Sequence, residues 1–170
     1  IKNIEILYQK ALYTECNKLL HRAKRIARDN ERFYYWFELL NWEKMLLEEA
    51  YESGEFTKDL DALIEEERDV IEKLRNLAAY HILYSKINYV FRSGGYVRTD
   101  EEHAMVEEIS EHPLIKGKNT ALSRRAATIC YYTQGFCQWA KRDWAVSLEK
   151  FQRVKQILDD NEQIRADLPK

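Results

Sequence analysis

Between Thr128 and Leu158 apolar residues return at three- and four-residue intervals in two runs, hinged at the polar triplet Lys141-Arg142-Asp143. That spacing predicts two amphipathic helices joined by a tight turn. Asp143 is placed to cap the second run, because its carboxylate accepts from the free N–H groups of a first helical turn. Trp144, Ser147, Leu148, Phe151, Val154 and Leu158 share one face of that run. Variants of the same hairpin are expected along the whole chain.

From the start, residues 1–12 read as a helix with Ile4, Leu7, Tyr8 and Ala11 on one side. Thr14 is the expected cap of a second helix over 15–28, with Cys16, Leu19, Leu20, Ala23, Ile26 and Ala27 inward. The opposite side of that helix carries Lys18, His21, Arg22, Lys24, Arg25 and Arg28. The next helix, 31–52, is apolar over most of its circumference, which implies burial on several sides. Ser53-Gly54 breaks it, Phe56 fills the turn and Thr57 caps the fourth helix. Over 58–74, Leu60, Leu63, Ile64, Val70, Ile71 and Leu74 point inward, and Glu65, Glu66, Glu67 and Asp69 mostly outward.

No breaker separates 58–74 from 76–92. One helix of that span would be about 52 Å long at 1.5 Å per residue, so a bend is expected at Arg75-Asn76. Ser93-Gly94-Gly95 supplies a helix stop, and Thr99 with Glu102 forms a capping box that opens a helix to about Glu111. His112-Pro113 ends it, 113–118 reads as irregular, and Asn119 or Thr120 begins the closing helix. Residues 166–170 read as the start of a linker.

Composition narrows the fold class. Apolar residues make up 45% of the 170 and charged residues 33%, with five glycines and two prolines, a balance that favours an all-α domain with a real core. No stretch approaches the apolar length of a membrane span, and no secretory signal heads the sequence. Cys130 and Cys137 lie two turns apart on one predicted helix, about 10.5 Å along the axis and beyond disulfide reach. With Cys16 they are expected to be buried free thiols, in keeping with a cytoplasmic setting.

Charge is uneven although the net is −2. Residues 1–30 hold seven Lys/Arg against three Asp/Glu, residues 43–72 three against twelve, and residues 112–155 nine against two. An acidic middle between basic ends argues against a general nucleic-acid binder. It suits solvated helix faces, or association between oppositely charged segments.

Four aromatics fall at the expected turns, Tyr13, Phe56, Tyr96 and Trp144, spaced by 40 to 48 residues. Each is expected to be wedged where its pair of helices reverses. A repeat of that period predicts a solenoid of stacked hairpins, here approximately 1–28, 31–74, 76–111 and 119–160 within one domain of residues 1–165. The last hairpin resembles a tetratricopeptide (TPR) repeat: Gly135 stands where that motif has a small residue, Trp144 where its second helix begins, then Ser147 and Phe151. The first hairpin resembles it through Tyr13, Cys16, Leu20 and Ala23. The middle units match less well, with Asp59 at a small position, and the resemblance is therefore to a TPR-like chain. It implies a right-handed α-solenoid with a concave groove lined by first-helix residues. Carried over by position, these are Tyr8, then Lys44, Glu48 and Tyr51, then Tyr84, Asn88 and Phe91, and finally Tyr132, Phe136 and Trp139.

No chemistry-bearing motif competes with this reading. His21, His81, His103 and His112 form no metal-binding pair, no glycine-rich phosphate loop is present, and no cysteine or serine has a local histidine to activate it. The chain is therefore expected to be non-enzymatic, with no catalytic residue, metal or cofactor. Its leading expected role is a scaffold that binds a peptide or partner helix, with Arg124 and Arg125 available to a carboxylate. One alternative is a regulatory or oligomerising module of a larger signalling protein. A lesser one is nucleic-acid binding through helix 15–28.

Overall fold

The computed structural model describes residues 1–52 and 60–167, and of residues 50–52 the backbone alone. The expectations placed on Ser53-Gly54, Phe56, Thr57, Asp59 and the Tyr51 side chain, and on the end of the linker, lie outside the described residues. Within them the fold is all-helical with no strand. The helices are α1 (Lys2–Gln9), α2 (Tyr13–Asp29), α3 (Phe33–Glu52), α4 (Leu60–Gly94), α5 (Asp100–Glu111), α6 (Pro113–Lys116), α7 (Arg124–Ala140), α8 (Trp144–Asp159) and α9 (Glu162–Ala166). No helix among the described residues is long and apolar enough to cross a membrane. The chain divides into two compact units, Ile1–Leu74 and Arg75–Lys170.

In the first unit α1 packs on α2 and α2 on α3. The buried seam of α2 is Cys16, Leu20 and Ala27, with Ala23 half-buried between them. The Cys16 thiol donates to the Ile4 carbonyl at 3.4 Å, which draws α1 close. This seam is narrower than the apolar pattern suggested, and Ile26, one position off it, is exposed. Of the α4 residues expected inward, Leu63 and Val70 are buried, whereas Leu60 and Ile71 are exposed. Thr14 does not cap α2, which begins one residue earlier at Tyr13 with no side-chain cap. The near-complete burial expected for α3 is also cut back: Phe33, Trp36, Leu39, Leu40, Leu46 and Leu47 are buried, whereas Tyr34, Tyr35 and Met45 are exposed.

The acidic residues of α4 correct a second expectation. Glu66 and Glu67 do not face water freely but turn onto the neighbouring helices. Lys24 Nζ donates to Glu43 Oε2 at 2.6 Å and to Glu66 Oε2 at 2.8 Å, and Trp36 Nε1 donates to Glu66 Oε1 at 2.9 Å. Lys44 pairs with Glu67 at 2.6 Å, and the Lys73 ammonium lies 5.5 Å from the centre of the Trp36 ring. The Lys24 and Glu43 side chains are only 15% and 6% exposed. Burial works against the Lys24 charge, but the two carboxylates overcome it and hold the ammonium above the ordinary lysine range. One basic residue of α2 is thus consumed inside the unit by the acidic segment.

In the second unit the core is formed by Tyr80, Leu83, Ile87 and Val90 of α4, Val106 and Ile109 of α5, Ile115 of α6, and Ala126, Cys130, Cys137 and Ala140 of α7. The α4 helix runs through Arg75 and Asn76 without the expected break. No proline or glycine interrupts it there, and Asn76 acts in tertiary structure instead. Its Nδ2 donates to the Thr120 carbonyl at 3.0 Å, and its Oδ1 accepts from Leu122 N at 3.0 Å. The fully buried Tyr80 adds a third tie, its hydroxyl donating to the Leu114 carbonyl at 3.0 Å and lying 2.6 Å from Thr120 Oγ1.

These ties hold 114–122 outside any long helix, which is why α7 starts at Arg124 and not at Asn119 or Thr120. Asn119 has φ 56°, and Ser123 is the actual cap, accepting from Ala126 N at 3.0 Å. Within the stretch read as irregular, Pro113 opens the short α6, with His112 Nδ1 accepting from Leu114 N at 3.2 Å. The remaining punctuation is as expected. Gly95 takes the left-handed φ of 76° after α4. Thr99 and Glu102 complete both bonds of the capping box, and Asp143 caps α8 through Val146 N at 3.1 Å.

Replacing Lys24 with Met is expected to cost about 3 kcal/mol, because two carboxylates, one of them buried, lose their shared cation. Urea unfolding measures it, and a loss below about 0.5 kcal/mol would place the cluster among ordinary surface pairs. A second expectation concerns alkaline pH. Burial pushes Tyr80 up to about 12, its bond to Thr120 working the other way. Burial also pushes the Cys137 thiol up to about 11, and the hydrogen bond from Tyr8 to Glu49 pushes Tyr8 up to about 12. Each value lies above that of the unfolded chain, 9.0 for the thiol and 10.0 for the phenols. The folded chain therefore keeps protons that the unfolded chain releases. Stability should be flat in these groups well below pH 9 and fall from pH 9, where the unfolded thiol ionises, to about pH 12, as read by the thermal midpoint. Tyr80→Phe should make that fall shallower.

Candidate functional site

The candidate site lies on the second unit and is built where α7 crosses α8. Gly135 is buried at the crossing, and a Cβ there would stand 2.8 Å from Cε1 of Phe151 and 3.0 Å from its Cζ. The absent side chain lets the Phe151 ring lie directly against the α7 backbone. Ser147 completes the contact, its hydroxyl donating to the Gly135 carbonyl at 2.9 Å. Both residues are inaccessible to water, so the bond satisfies a hydroxyl whose burial alone would cost about 1–3 kcal/mol. Thr128 and Thr133, also buried on α7, return their hydroxyls to Arg124 and Ile129 carbonyls at 2.8 Å each.

On this frame three helices each present residues at i, i+4 and i+7, the spacing of one helical face. They are Tyr84, Asn88 and Phe91 on α4, Tyr132, Phe136 and Trp139 on α7, and Trp144, Leu148 and Phe151 on α8. Their rings form a continuous array. Phe91 and Phe136 are 4.7 Å apart between centroids, Phe136 and Phe151 5.3 Å, and Trp139 and Trp144 4.8 Å edge to face. Tyr84 joins Tyr132 at 6.3 Å and Phe136 at 6.1 Å, and Tyr132 joins Phe151 at 6.1 Å. These spacings fall in the 4.5–7 Å range of attractive ring pairs. Burial, with Tyr84 adding to it, raises the Tyr132 phenol above its usual value.

The array is not sealed. Trp144 is 52% exposed and Leu148 59%, and Trp139 is also exposed. Beside Tyr132 and Phe151 an open groove of about 420 Å³ continues along Val154 and Leu158, with Lys155, Asp159 and Arg165 at its edge.

The other residues picked out by position are placed differently. Tyr8 donates to Glu49 Oε1 at 2.8 Å and packs between Tyr13 and Trp42, each 5.6 Å away. Lys44 is held by Glu67, and Glu48 is exposed. These lie in the first unit, and the ring array in the second.

The turn aromatics are not buried wedges: Tyr13, Tyr96 and Trp144 are all exposed. Each instead rests on one neighbour or two. Tyr13 lies on Tyr8, Trp144 on Trp139, and Tyr96 within about 5 Å of both the Arg98 and Arg142 guanidinium groups, at 5.1 and 4.9 Å. The tight reversals leave room for the rings only outside the helix pair. Arg125 pairs with Asp167, and Arg124 donates to Asn161, so both are engaged within the chain. Leu148, which shares a helical face with Ser147 and Val154 by spacing, is exposed while those two are buried. The signal was the separate 144/148/151 spacing, offset by one position from the buried 147/154 seam.

Among the described residues no three His, Cys, Asp or Glu side chains converge as a metal site would require. Comparison with protein-family models, curated proteins and solved structures finds no match.

Gly135→Val should destabilise the second unit by about 2 kcal/mol, since its methyls enter space held by Phe151 and force the ring off its seat. Urea unfolding gives the energy, and near-ultraviolet circular dichroism reports the displaced rings. An unchanged spectrum would show that the crossing tolerates a side chain.

Proposed function

We propose that this chain is a non-enzymatic interaction module, a segment of a TPR-like α-solenoid, and that the ring array of the second unit receives a peptide or a partner helix. The observation that carries this reading is the half-open array itself. Phe91, Phe136 and Phe151 sit as a packed floor, and Trp139, Trp144 and Leu148 stand in water above it. Exposed tryptophans backed by fixed rings offer large contact area at little ordering cost, the character of interface hot spots. The glycine–serine–phenylalanine crossing of α7 and α8 agrees with the close helix contact that the TPR resemblance implies. The charge blocks give less support to self-assembly, since Lys24 of the basic block already meets Glu43 and Glu66 of the acidic block inside the first unit.

Selection of a displayed peptide library against the chain tests the proposal. Bound peptides are expected, and Trp144→Ser combined with Leu148→Ser should weaken them at least about tenfold, a loss near 1.4 kcal/mol. Because both side chains are more than half exposed, the unfolding midpoint of the double variant should stay close to the parent. Equal binding by the variant, or no selected peptide, overturns the reading. Salt-sensitive dimers in light scattering would instead favour the oligomerising module.

A further inference from the structure

The ring array ends where α4 and α7 end. Phe91 and Trp139 are its last residues on those helices, 6.0 Å apart between centroids, and Trp144 is its first on α8. The two connections that leave this end meet each other. The Tyr96 ring, on the loop after α4, lies 5.1 Å from the Arg98 guanidinium carbon and 4.9 Å from that of Arg142 in the α7–α8 turn. The two guanidinium groups are therefore within about 10 Å of one another. Arg142 is also tied to the array through its backbone, its N–H donating to the Trp139 carbonyl at 2.9 Å.

Both cations are exposed and held in place without a carboxylate partner. The Arg98 guanidinium occupies the space that a side chain at Gly94 would fill. Glu102 feels the Arg98 charge, but its oxygens accept instead from Ser93 Oγ at 2.9 Å and Arg98 N at 2.7 Å, which fixes the loop. Neither guanidinium donates a hydrogen bond or makes an ion pair among the described residues. By contrast Lys141, next to Arg142, meets Glu107 at 2.6 Å. A tyrosine ring attracts a cation only weakly at an exposed site and leaves its N–H groups unsatisfied. This end of the array thus sets two pre-positioned, fork-shaped donors beside the exposed Trp139 and Trp144.

We propose that the partner of the ring array is an acidic amphipathic peptide. Its apolar residues lie on Trp144 and Leu148, and an Asp or Glu within about two helical turns of them pairs with Arg98 and Arg142. This rests on the reading of the array as a peptide site and adds the chemistry of what it takes. Charge complementarity selects the acid. Residues 112–155 hold nine Lys/Arg against two Asp/Glu, and a carboxylate matches a guanidinium fork with two parallel hydrogen bonds. Tryptophan beside arginine also suits single-stranded nucleic acid, but the geometry here favours a peptide. The planes of Trp139 and Trp144 stand 82° apart and present no parallel faces to successive bases. The apolar surface also continues into the groove lined by Val154 and Leu158.

Peptides selected by display against the 170-residue chain test the proposal through their acidic residues. They are expected to be enriched in Asp and Glu beside their apolar residues. Replacing that acid by its amide should weaken binding at least about tenfold at about 50 mM salt, and less at about 500 mM, where exposed charges are screened. This change leaves the protein untouched, so no folding defect imitates it. In a variant combining Arg98→Gln and Arg142→Gln, acid and amide should bind equally. Lys118→Gln, which removes an exposed cation outside the array, should keep the difference. Peptides that lose affinity to Trp144→Ser with Leu148→Ser, yet show no acidic enrichment or ignore the arginine variant, overturn the acidic partner and leave the peptide site standing. Absence of any selected peptide overturns both. Tighter binding of a single-stranded oligonucleotide, lost in the arginine variant, assigns this end to nucleic acid, and salt-sensitive dimers of the chain alone assign it to a second copy. Either overturns the proposal.

Discussion

The second unit depends on how closely α7 and α8 approach at Gly135. A glycine in mid-helix costs roughly 1 kcal/mol relative to alanine, because it gives up more backbone freedom on folding. Here the cost is offset by what the missing methyl admits: the Phe151 ring on the α7 backbone and the Ser147 hydroxyl on the Gly135 carbonyl. Phe151 is half-buried there, and its share of the roughly 1.5–3 kcal/mol that complete burial of a phenylalanine contributes offsets that cost. It also has a geometric consequence. Phe151 seated against the α7 backbone becomes the point at which Tyr132 and Phe136 meet α8, and Leu148 and Trp144, one and two turns back, are left outside.

The first unit is organised by charge to a degree that the second is not. Lys24, Glu43, Glu66 and Trp36 make a connected set across α2, α3 and α4. Ion pairs this well covered add little net stability over apolar packing, because desolvation cancels most of the attraction, but they penalise any register in which one member is unmatched. The alternation of basic and acidic blocks along the sequence thus has one local consequence that is visible in the fold: it pins which faces of three helices meet.

Helix boundaries marked by local chemistry were legible in the sequence. The Thr99–Glu102 box, the Asp143 cap and the Gly94-Gly95 stop act within one turn, and each is where it was read. The errors share the opposite property. Asn76 looked like a weak point in a helix because its partners, Thr120 and Leu122, are more than forty residues away. Ser123, not Asn119 or Thr120, caps α7 because the residues before it are held out of helix by Asn76 and Tyr80, again from a distance. Glu66 looked like one more solvated carboxylate until Lys24 and Trp36 were brought to it. Of the candidate site, the α4 and α7 stripes could be read from spacing alone. The α8 stripe could not, since periodicity says which residues share a face and not which of two adjacent faces the neighbour covers.

That last ambiguity bears on how α7 is used. One side of it is a buried stripe of small residues, Ala126, Cys130, Thr133, Cys137 and Ala140, which lets neighbouring helices approach closely, and Gly135 and Thr128 are buried off that stripe. The remaining circumference is then free to differ in chemistry: rings at 132, 136 and 139, and amide and phenol groups at 131, 134 and 138. Contacts more than about 7–10 Å apart with no shared partners contribute independently, and the two outer faces point away from each other across the helix. In α7 the small buried stripe and the Gly135 crossing together carry the packing, and the ring face is continuous with the second of these through Phe151.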